Sequence, residues 1–293
     1  VKSFAYVSVV AFAISCDDEN RLTVADREDI SEDAITDSYF EDADDLGSVS
    51  LSSATASDLD GSDNSRERDT TTITVTDTRR CVGSTGIEVS LVRLEDSTPS
   101  NPHGYLVLDF GDGCTDIRGN IRSGKLIFEY SGRRFQPGST VVMTTDNYFI
   151  NEVQLEGTRT VTNTSESTEA APKFTVVLED GKATFPDGKI ATREATFTRE
   201  WIGRSTINDL TDDELRLTGN ASGTTRNERN YTMTIEETLV FQRDCEFRLP
   251  VSGVKTFVTE GKTITINYGE GECDRSVTYT VGDRTITTIV GNN

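Results

Sequence analysis

From about Thr71 onward the chain alternates polar and apolar residues at a period of two. Thr72-Ile73-Thr74-Val75-Thr76, Tyr231-Thr232-Met233-Thr234-Ile235, Thr263-Ile264-Thr265-Ile266 and Thr278-Tyr279-Thr280-Val281 each put apolar side chains on one face and threonines on the other. Successive side chains of a strand point to opposite sides, so this pattern predicts antiparallel strands with one wet face. Turn signals interrupt the runs at short intervals. Glu179-Asp180-Gly181-Lys182 and Pro186-Asp187-Gly188-Lys189 read as hairpin turns, and Ser123-Gly124, Glu260-Gly261 and Gly282-Asp283 look similar. No stretch past Thr71 sustains a 3.6-residue period with caps. The expectation is an all-β domain over 71–293, an antiparallel meander forming a sandwich or rolled sheet, either as one unit or as two packed halves.

The first residues follow another pattern. Lys2 precedes an apolar run from Phe4 to Ile14, and the small residue Ser15 stands before Cys16. A positive start, an apolar stretch and a small-residue cleavage site make a secretory leader over 1–15, and the run is too short to span a bilayer. Ala13-Ile14-Ser15-Cys16 further resembles a lipobox, in which Cys16 becomes the acylated first residue of the mature protein. Two or more acyl chains would anchor it durably. The expected location is the cell envelope, lipid-anchored to the outer membrane, on its periplasmic or surface side.

Charge separates the next segment from the β-domain. The chain carries a formal net charge of −21. Between Asp17 and Thr70 there are 18 acidic and 4 basic residues, which place −14 of that total here. A segment so rich in Asp, Ser and Thr cannot offset its ordering entropy by burial, so 16–70 reads as a lipidated cysteine followed by a disordered acidic linker. Ile35, Tyr39, Ala43 and Leu46 do recur at helical spacing within Ser31 to Leu46, the mark of a short amphipathic helix, but composition favours the linker. Such acidity also argues against nucleic acid as a partner.

Four cysteines remain after Cys16. Arg79-Arg80-Cys81 leads to Leu108-Asp109-Phe110-Gly111-Asp112-Gly113-Cys114, and Arg243-Asp244-Cys245 leads to Ile266-Asn267-Tyr268-Gly269-Glu270-Gly271-Glu272-Cys273. This internal repeat selects Cys81–Cys114 and Cys245–Cys273 among the three pairings that four cysteines allow, in the oxidising compartment to which a leader directs the chain. A zinc site would need close cysteine pairs, and none is present.

The ordered set Asp109-Phe110-Gly111-Asp112-Gly113-Cys114, Thr145-Asp146-Asn147-Tyr148, Glu156-Gly157-Thr158-Arg159, Thr198-Arg199-Glu200-Trp201, Leu217-Thr218-Gly219 and Asn267-Tyr268-Gly269-Glu270-Gly271-Glu272-Cys273-Asp274 resembles the short motifs of uncharacterised Bacteroidetes-type cell-envelope lipoproteins. That resemblance implies architecture and location and brings no activity with it.

No residue constellation specifies catalysis. His103 is the single histidine, in the turn-like Asn101-Pro102-His103-Gly104, with no serine nucleophile marked beside it. The modules place Asp109 where the copy has Asn267, which points to turn geometry rather than acid–base chemistry. Asp58-Leu59-Asp60-Gly61-Ser62-Asp63 offers hard oxygen ligands but lacks the spacing of a calcium loop. No catalytic residue, metal or cofactor is therefore assigned. Trp201, at the end of a strand entering an acidic loop, and Tyr148 are the candidates for ligand contact. The expected function is a membrane-anchored, non-catalytic binding or structural protein, with a glycan or an envelope protein as partner. The alternative is a carboxylate-based glycan hydrolase, which needs only two carboxylates held across a cleft.

Overall fold

The computed structural model describes residues 21–60, 71–75, 87–95, 97–116, 119–203, 214–242, 245 and 249–289. One helix, α1 (Val24–Asp60), precedes β1 (Thr71–Val75), β2 (Ile87–Arg93), β3 (His103–Asp109), β4 (Cys114–Thr115) and β5 (Ile121–Ser131). Then follow β6 (Thr140–Ile150), β7 (Val153–Asn163), β8 (Lys173–Thr184), β9 (Ile190–Ile202) and β10 (Glu214–Thr224). The chain ends in β11 (Asn230–Gln242), β12 (Ser252–Thr259), β13 (Lys262–Glu270), β14 (Ser276–Val281) and β15 (Arg284–Ile289). All strands belong to one antiparallel sheet in which each pairs with its sequence neighbours, except that the two-residue β4 sits beside β5 and leaves β3 to pair with β5 directly. This is the all-β meander that the period-two pattern predicts. The sheet is continuous through both cysteine modules.

Several strands bury alternate residues, as in β3, where Gly104, Leu106 and Leu108 point inward between half-buried neighbours. The strands from β5 to β11 are long, and bulges interrupt them. At Gly124 the backbone turns to φ +74, and an added Cβ would lie 1.9 Å from the Asn147 carbonyl; Gly219 has φ +137 with the Thr196 carbonyl 2.1 Å from such a Cβ. Bulges bend a strand and increase its twist, which curls the sheet. Two expected turns belong to this class. Ser123-Gly124 lies inside β5, and Glu179-Asp180-Gly181-Lys182 lies inside β8, where the register shifts between Leu178 and Gly181 and Asp180 takes φ 52. A left-handed residue and a glycine serve a bulge as well as a turn, so the dipeptide alone does not separate them. Pro186-Asp187-Gly188-Lys189 does form the β8–β9 hairpin, closed by Phe185 N donating to Lys189 O at 2.9 Å.

The acidic segment corrects the expectation of a disordered linker. Residues 24–60 form α1, which lays one face on the sheet: Asp26, Asp29, Phe40 and Ala43 fall on that face and are fully buried, while Glu28, Ser31, Ile35 and Ser38 on the opposite face are exposed. The helix starts with a reciprocal capping box, Thr23 Oγ1 accepting from Asp26 N at 3.1 Å while Asp26 Oδ2 accepts from Thr23 N at 2.9 Å. Of the residues at helical spacing, Ala43 is buried, Tyr39 and Leu46 are half-buried and Ile35 is exposed. The apolar stripe is thus narrow, and the remaining contact with the sheet is ionic. Among the described residues no helix is long and apolar enough to cross a membrane.

Cys245 and Cys273 are disulfide-bonded, with Cα atoms 5.6 Å apart. Cys81 lies outside the described residues, and the pairing expected for it with Cys114 lies there too. The modules share their local geometry: Asp109 Oδ1 accepts from Gly111 N at 2.9 Å, and Asn267 Oδ1 accepts from Gly269 N at 2.8 Å. An acid and an amide therefore perform the same side-chain-to-backbone role, as the substitution within the repeat suggests.

Candidate functional site

Two regions of the interior carry concentrated chemistry. The first is the contact between α1 and the sheet, where cations occupy inward positions that apolar residues normally hold. In β9 the buried sequence runs Ala191, Arg193, Ala195, Phe197, so small alanines flank the guanidinium and leave room for it. Arg193 meets Asp33 through Nη1 and Asp37 through Nη2 at 3.2 Å. Arg122 in β5 donates to Asp42 at 2.5 Å, to Asp116 at 2.8 Å and to the Tyr148 hydroxyl at 3.0 Å. Arg159 in β7 and Arg199 in β9 converge on Glu41. Towards the start of α1, Arg229 and Lys262 bracket Asp26 at 2.8 and 2.7 Å, and Arg229 also lies 2.6 Å from Asp29.

These contacts set the ionisation of the groups involved. Burial pushes the Asp26 carboxyl up, but hydrogen bonds from Lys262, Arg229 and Thr23 outweigh it and hold the group well below the usual carboxylate range. Burial prevails at Asp37, raising its pKa against the pull of Arg159, Arg199 and Lys255. It also lowers the Arg199 guanidinium to about 10, with Asp37 opposing. Such paired charges are a feature of folding chemistry: Arg122, Arg159 and Arg193 are almost fully buried where they meet the helix.

The second region is a cavity of about 800 Å³ at the end of the roll where α1 runs out. Asp44, Ser48 and Leu51 of α1 form one side. Tyr130 at the end of β5, Val141 in β6, Val161 in β7 and Phe174 in β8 supply an apolar wall. The loops between β2 and β3 and between β5 and β6 form the rim, bringing Arg133 and Arg134 beside Arg93 of β2. Arg133 donates Nε and Nη2 to the Pro99 carbonyl at 3.1 and 2.6 Å, fastening one rim loop to the other. Burial raises the Tyr130 phenol, opposed by Arg93.

Trp201 stands next to this cavity, half-buried at the end of β9. Its ring packs edge-on against Phe174 at 5.3 Å between centroids and tilted against Phe135 at 6.4 Å, and both neighbours line the cavity. The Arg134 guanidinium lies 5.7, 5.8 and 5.7 Å from the centroids of Phe135, Phe174 and Trp201. Tyr148 requires a correction. It is fully buried in the first region, bonded to Arg122, with its phenol pushed up to about 12 chiefly by burial, so it offers no surface to a ligand. The structure does not bring Trp201 and Tyr148 together. Cys16 and the loop 204–213 that follows Trp201 lie outside the described residues.

The sheet cations were missed at the sequence level although a signal existed: Arg159 and Arg193 fall in phase with the apolar alternation of their strands. Among the described residues no group of three or more His, Cys, Asp or Glu is arranged to hold a metal ion. No protein-family model, curated protein or solved structure matches the chain.

Proposed function

We propose that this chain is a lipid-anchored cell-envelope protein whose rolled sheet holds a small ligand in the cavity beside Trp201, without transforming it. The observation that carries the reading is the cavity itself: about 800 Å³, walled by aromatic and aliphatic side chains, with a few polar groups converging at its rim. That is the usual make-up and size of a ligand pocket. A glycan hydrolase would need two carboxylates facing each other across the cleft, about 5 to 9 Å apart. Among the described residues the cavity lining holds one carboxylate, Asp44, which lies 3.4 Å from Arg199 Nη1. The anchor rests on the lipobox at Cys16. Such an anchor would hold the cavity within reach of the membrane surface.

The full-length protein, extracted from membranes in mild detergent, tests both parts. Native mass spectrometry should detect a bound small molecule that is lost when Val161→Trp fills the cavity. Metabolic labelling with a fatty-acid probe should mark the wild type and not Cys16→Ala. Equal labelling of both would remove the anchor, and turnover of a polysaccharide that disappears with Asp44→Asn would replace binding with hydrolysis.

A further inference from the structure

We propose that β15 is a docking edge for a second copy of this chain, the two β15 strands pairing antiparallel about a two-fold axis at Thr287. The proposal is independent of the cavity and starts from the far end of the sheet. β15 ends the strand order. It bonds to β14 through the ladder and through two hydroxyl pairs, Thr278 with Thr287 at 2.9 Å and Thr280 with Thr285 at 3.1 Å. Among the described residues no other strand pairs with it. All six of its residues are exposed, whereas Val277 and Val281 of β14 are buried. The core therefore ends one strand before the sheet does.

Backbone geometry decides which groups of β15 are free. Val281 and Arg284 flank the two-residue turn Gly282-Asp283, with Gly282 at φ 57 in its first position, as a type II′ turn requires. The flanking pair of such a hairpin exchanges hydrogen bonds, and bonded and non-bonded pairs then alternate along the ladder. Arg284, Ile286 and Thr288 thus bond to β14, and Thr285, Thr287 and Ile289 turn their N–H and C=O groups outward. Natural edges of this kind are guarded by lysine, proline or a bulge. β15 has neither lysine nor proline, its register with β14 is unbroken from Arg284 to Ile289, and its one charge, Arg284, stands at the turn. Ile286 and Ile289, 48 % and 55 % exposed, lie on opposite faces of it.

The sequence of this edge is matched to itself. With the axis at Thr287, Thr285 bonds to the partner's Ile289, Thr287 to the partner's Thr287 and Ile289 to the partner's Thr285, each pair exchanging two hydrogen bonds. Between them Ile286 meets the partner's Thr288. Every isoleucine then stands opposite a threonine, and β-branched pairs suit adjacent strands. On one face the Thr278 and Thr287 hydroxyl pair meets its own copy across the axis. On the other, Ile286 is ladder-paired with Tyr279 at the margin of the core, and the partner's Ile286 lies diagonal to it, so the apolar layer continues past the end of each sheet. Arg284 falls outside the paired span. A foreign strand would have to supply this pattern, whereas a second copy carries it already. Two-fold pairing occupies both β15 edges and closes at two chains. One strand pair lies at the small end of specific interfaces, so the dimer should dissociate readily on dilution.

Cysteine cross-linking of the full-length protein in mild detergent tests both the edge and its register. The Cα atoms of a bonded pair stand about 5.5 Å apart, within disulfide range. Thr287→Cys should therefore link to itself in an oxidising buffer. Thr285→Cys should not do so alone, but should link to Ile289→Cys when the two proteins are mixed. Sedimentation velocity at about 0.1 mM should show dimer in the wild type. Thr287→Lys sets two like charges against each other across the axis, and it should be monomeric at that concentration with an unchanged far-ultraviolet dichroism spectrum. The cross-linking pattern decides the matter even if the lysine variant misfolds. Strongest self-linking at Ile286→Cys would overturn the register centred on Thr287. A link from Thr287→Cys to a cysteine placed in β1 would overturn the two-fold and put head-to-tail chains in its place. A wild type that stays monomeric at about 0.1 mM and forms no link at Thr287→Cys would overturn the docking edge altogether.

Discussion

The two ends of the roll use the same side chain for opposite purposes. Along most of α1, inward-facing arginines of the sheet are matched by helix carboxylates: Arg193 by Asp33 and Asp37, Arg159 and Arg199 by Glu41, Arg229 by Asp26 and Asp29. At the cavity, Arg133 donates to the Pro99 carbonyl of the other rim loop, and Arg134 lies against the aromatic faces of Phe135, Phe174 and Trp201. In the first region the charges are closed off and hold the helix in register. In the second the arginines stand at the rim of a cavity instead of beneath the helix. The difference teaches that burial of arginine is not itself a mark of function; the balance of its partners is.

The largest effect should come from breaking a buried pair in the closed region. Asp33→Ala leaves the Arg193 guanidinium, 1 % exposed, with the more distant Asp37 and the neutral Tyr231 hydroxyl. Removing one partner of a buried ion pair typically costs about 3 to 5 kcal/mol. Urea unfolding should show a loss of that size, and the double variant Asp33→Leu, Arg193→Leu should recover most of it because no charge is then stranded. A cost near zero for Asp33→Ala would mean that the helix is not seated on the sheet, and the contrast between the two ends would collapse.

A smaller but sharper test lies at Gly47, where α1 crosses β5. A Cβ there would stand 2.2 Å from the ring of Phe128, which is fully buried and cannot swing away. In a free helix Gly47→Ala would be stabilising by about 1 kcal/mol. In the seated helix overpacking costs about 1 to 3 kcal/mol, so the variant should unfold at a lower urea concentration than the wild type. An increase in stability would show the acidic segment to be the loose linker that its composition suggests.

That composition explains how much was legible. The alternation of residues such as Tyr231, Met233 and Ile235 identified the sheet because one face of it is uniformly wet. The Pro186-Asp187-Gly188-Lys189 hairpin was legible because proline cannot continue a central strand. Helix α1 was not, because disorder was inferred from the segment taken alone, and its stability comes from Arg122, Arg159, Arg193 and Arg229, each at least 80 positions further along the chain than its carboxylate partners in α1. Only two local signs pointed to it: the Thr23–Asp26 capping box and the helical spacing of Tyr39, Ala43 and Leu46. Of the candidate site, Trp201 was found because a single tryptophan draws notice. The cavity was not, since its lining comes from α1, five strands and three loops that only folding assembles.

Acid should weaken the closed region in a defined window. The Asp26 carboxyl has a folded-state pKa below its ordinary 3.8, so its ionised form is favoured by folding. Its contribution is present in full above the ordinary value and is lost as pH falls towards the folded value. Glu32 and Asp37, whose pKa values burial raises, act in the opposite direction, their contribution declining as pH rises through the raised values. Comparing wild type with Asp26→Asn isolates the first term. The stability gap between them should narrow steadily from about pH 5 to about pH 2. A gap that stays constant over that range would show that Asp26 is not held by Lys262 and Arg229.

The smallest effect on stability should come from the open end, at Arg133. Its side chain is exposed and donates two hydrogen bonds to the Pro99 carbonyl, with no carboxylate among its described hydrogen-bond and ion-pair partners. Hydrogen bonds of this kind contribute about 1 kcal/mol net, and less when water can replace them. Arg133→Gln, which keeps a donor, should therefore leave the urea midpoint within error of the wild type. In the closed region an arginine substitution should do the reverse: Arg193→Gln, at a side chain 1 % exposed between Asp33 and Asp37, should lower stability severalfold more than Arg133→Gln. If Arg133→Gln destabilised the fold as much as Arg193→Gln, the rim arginines would belong with the closed set, and the cavity's charge would be structural.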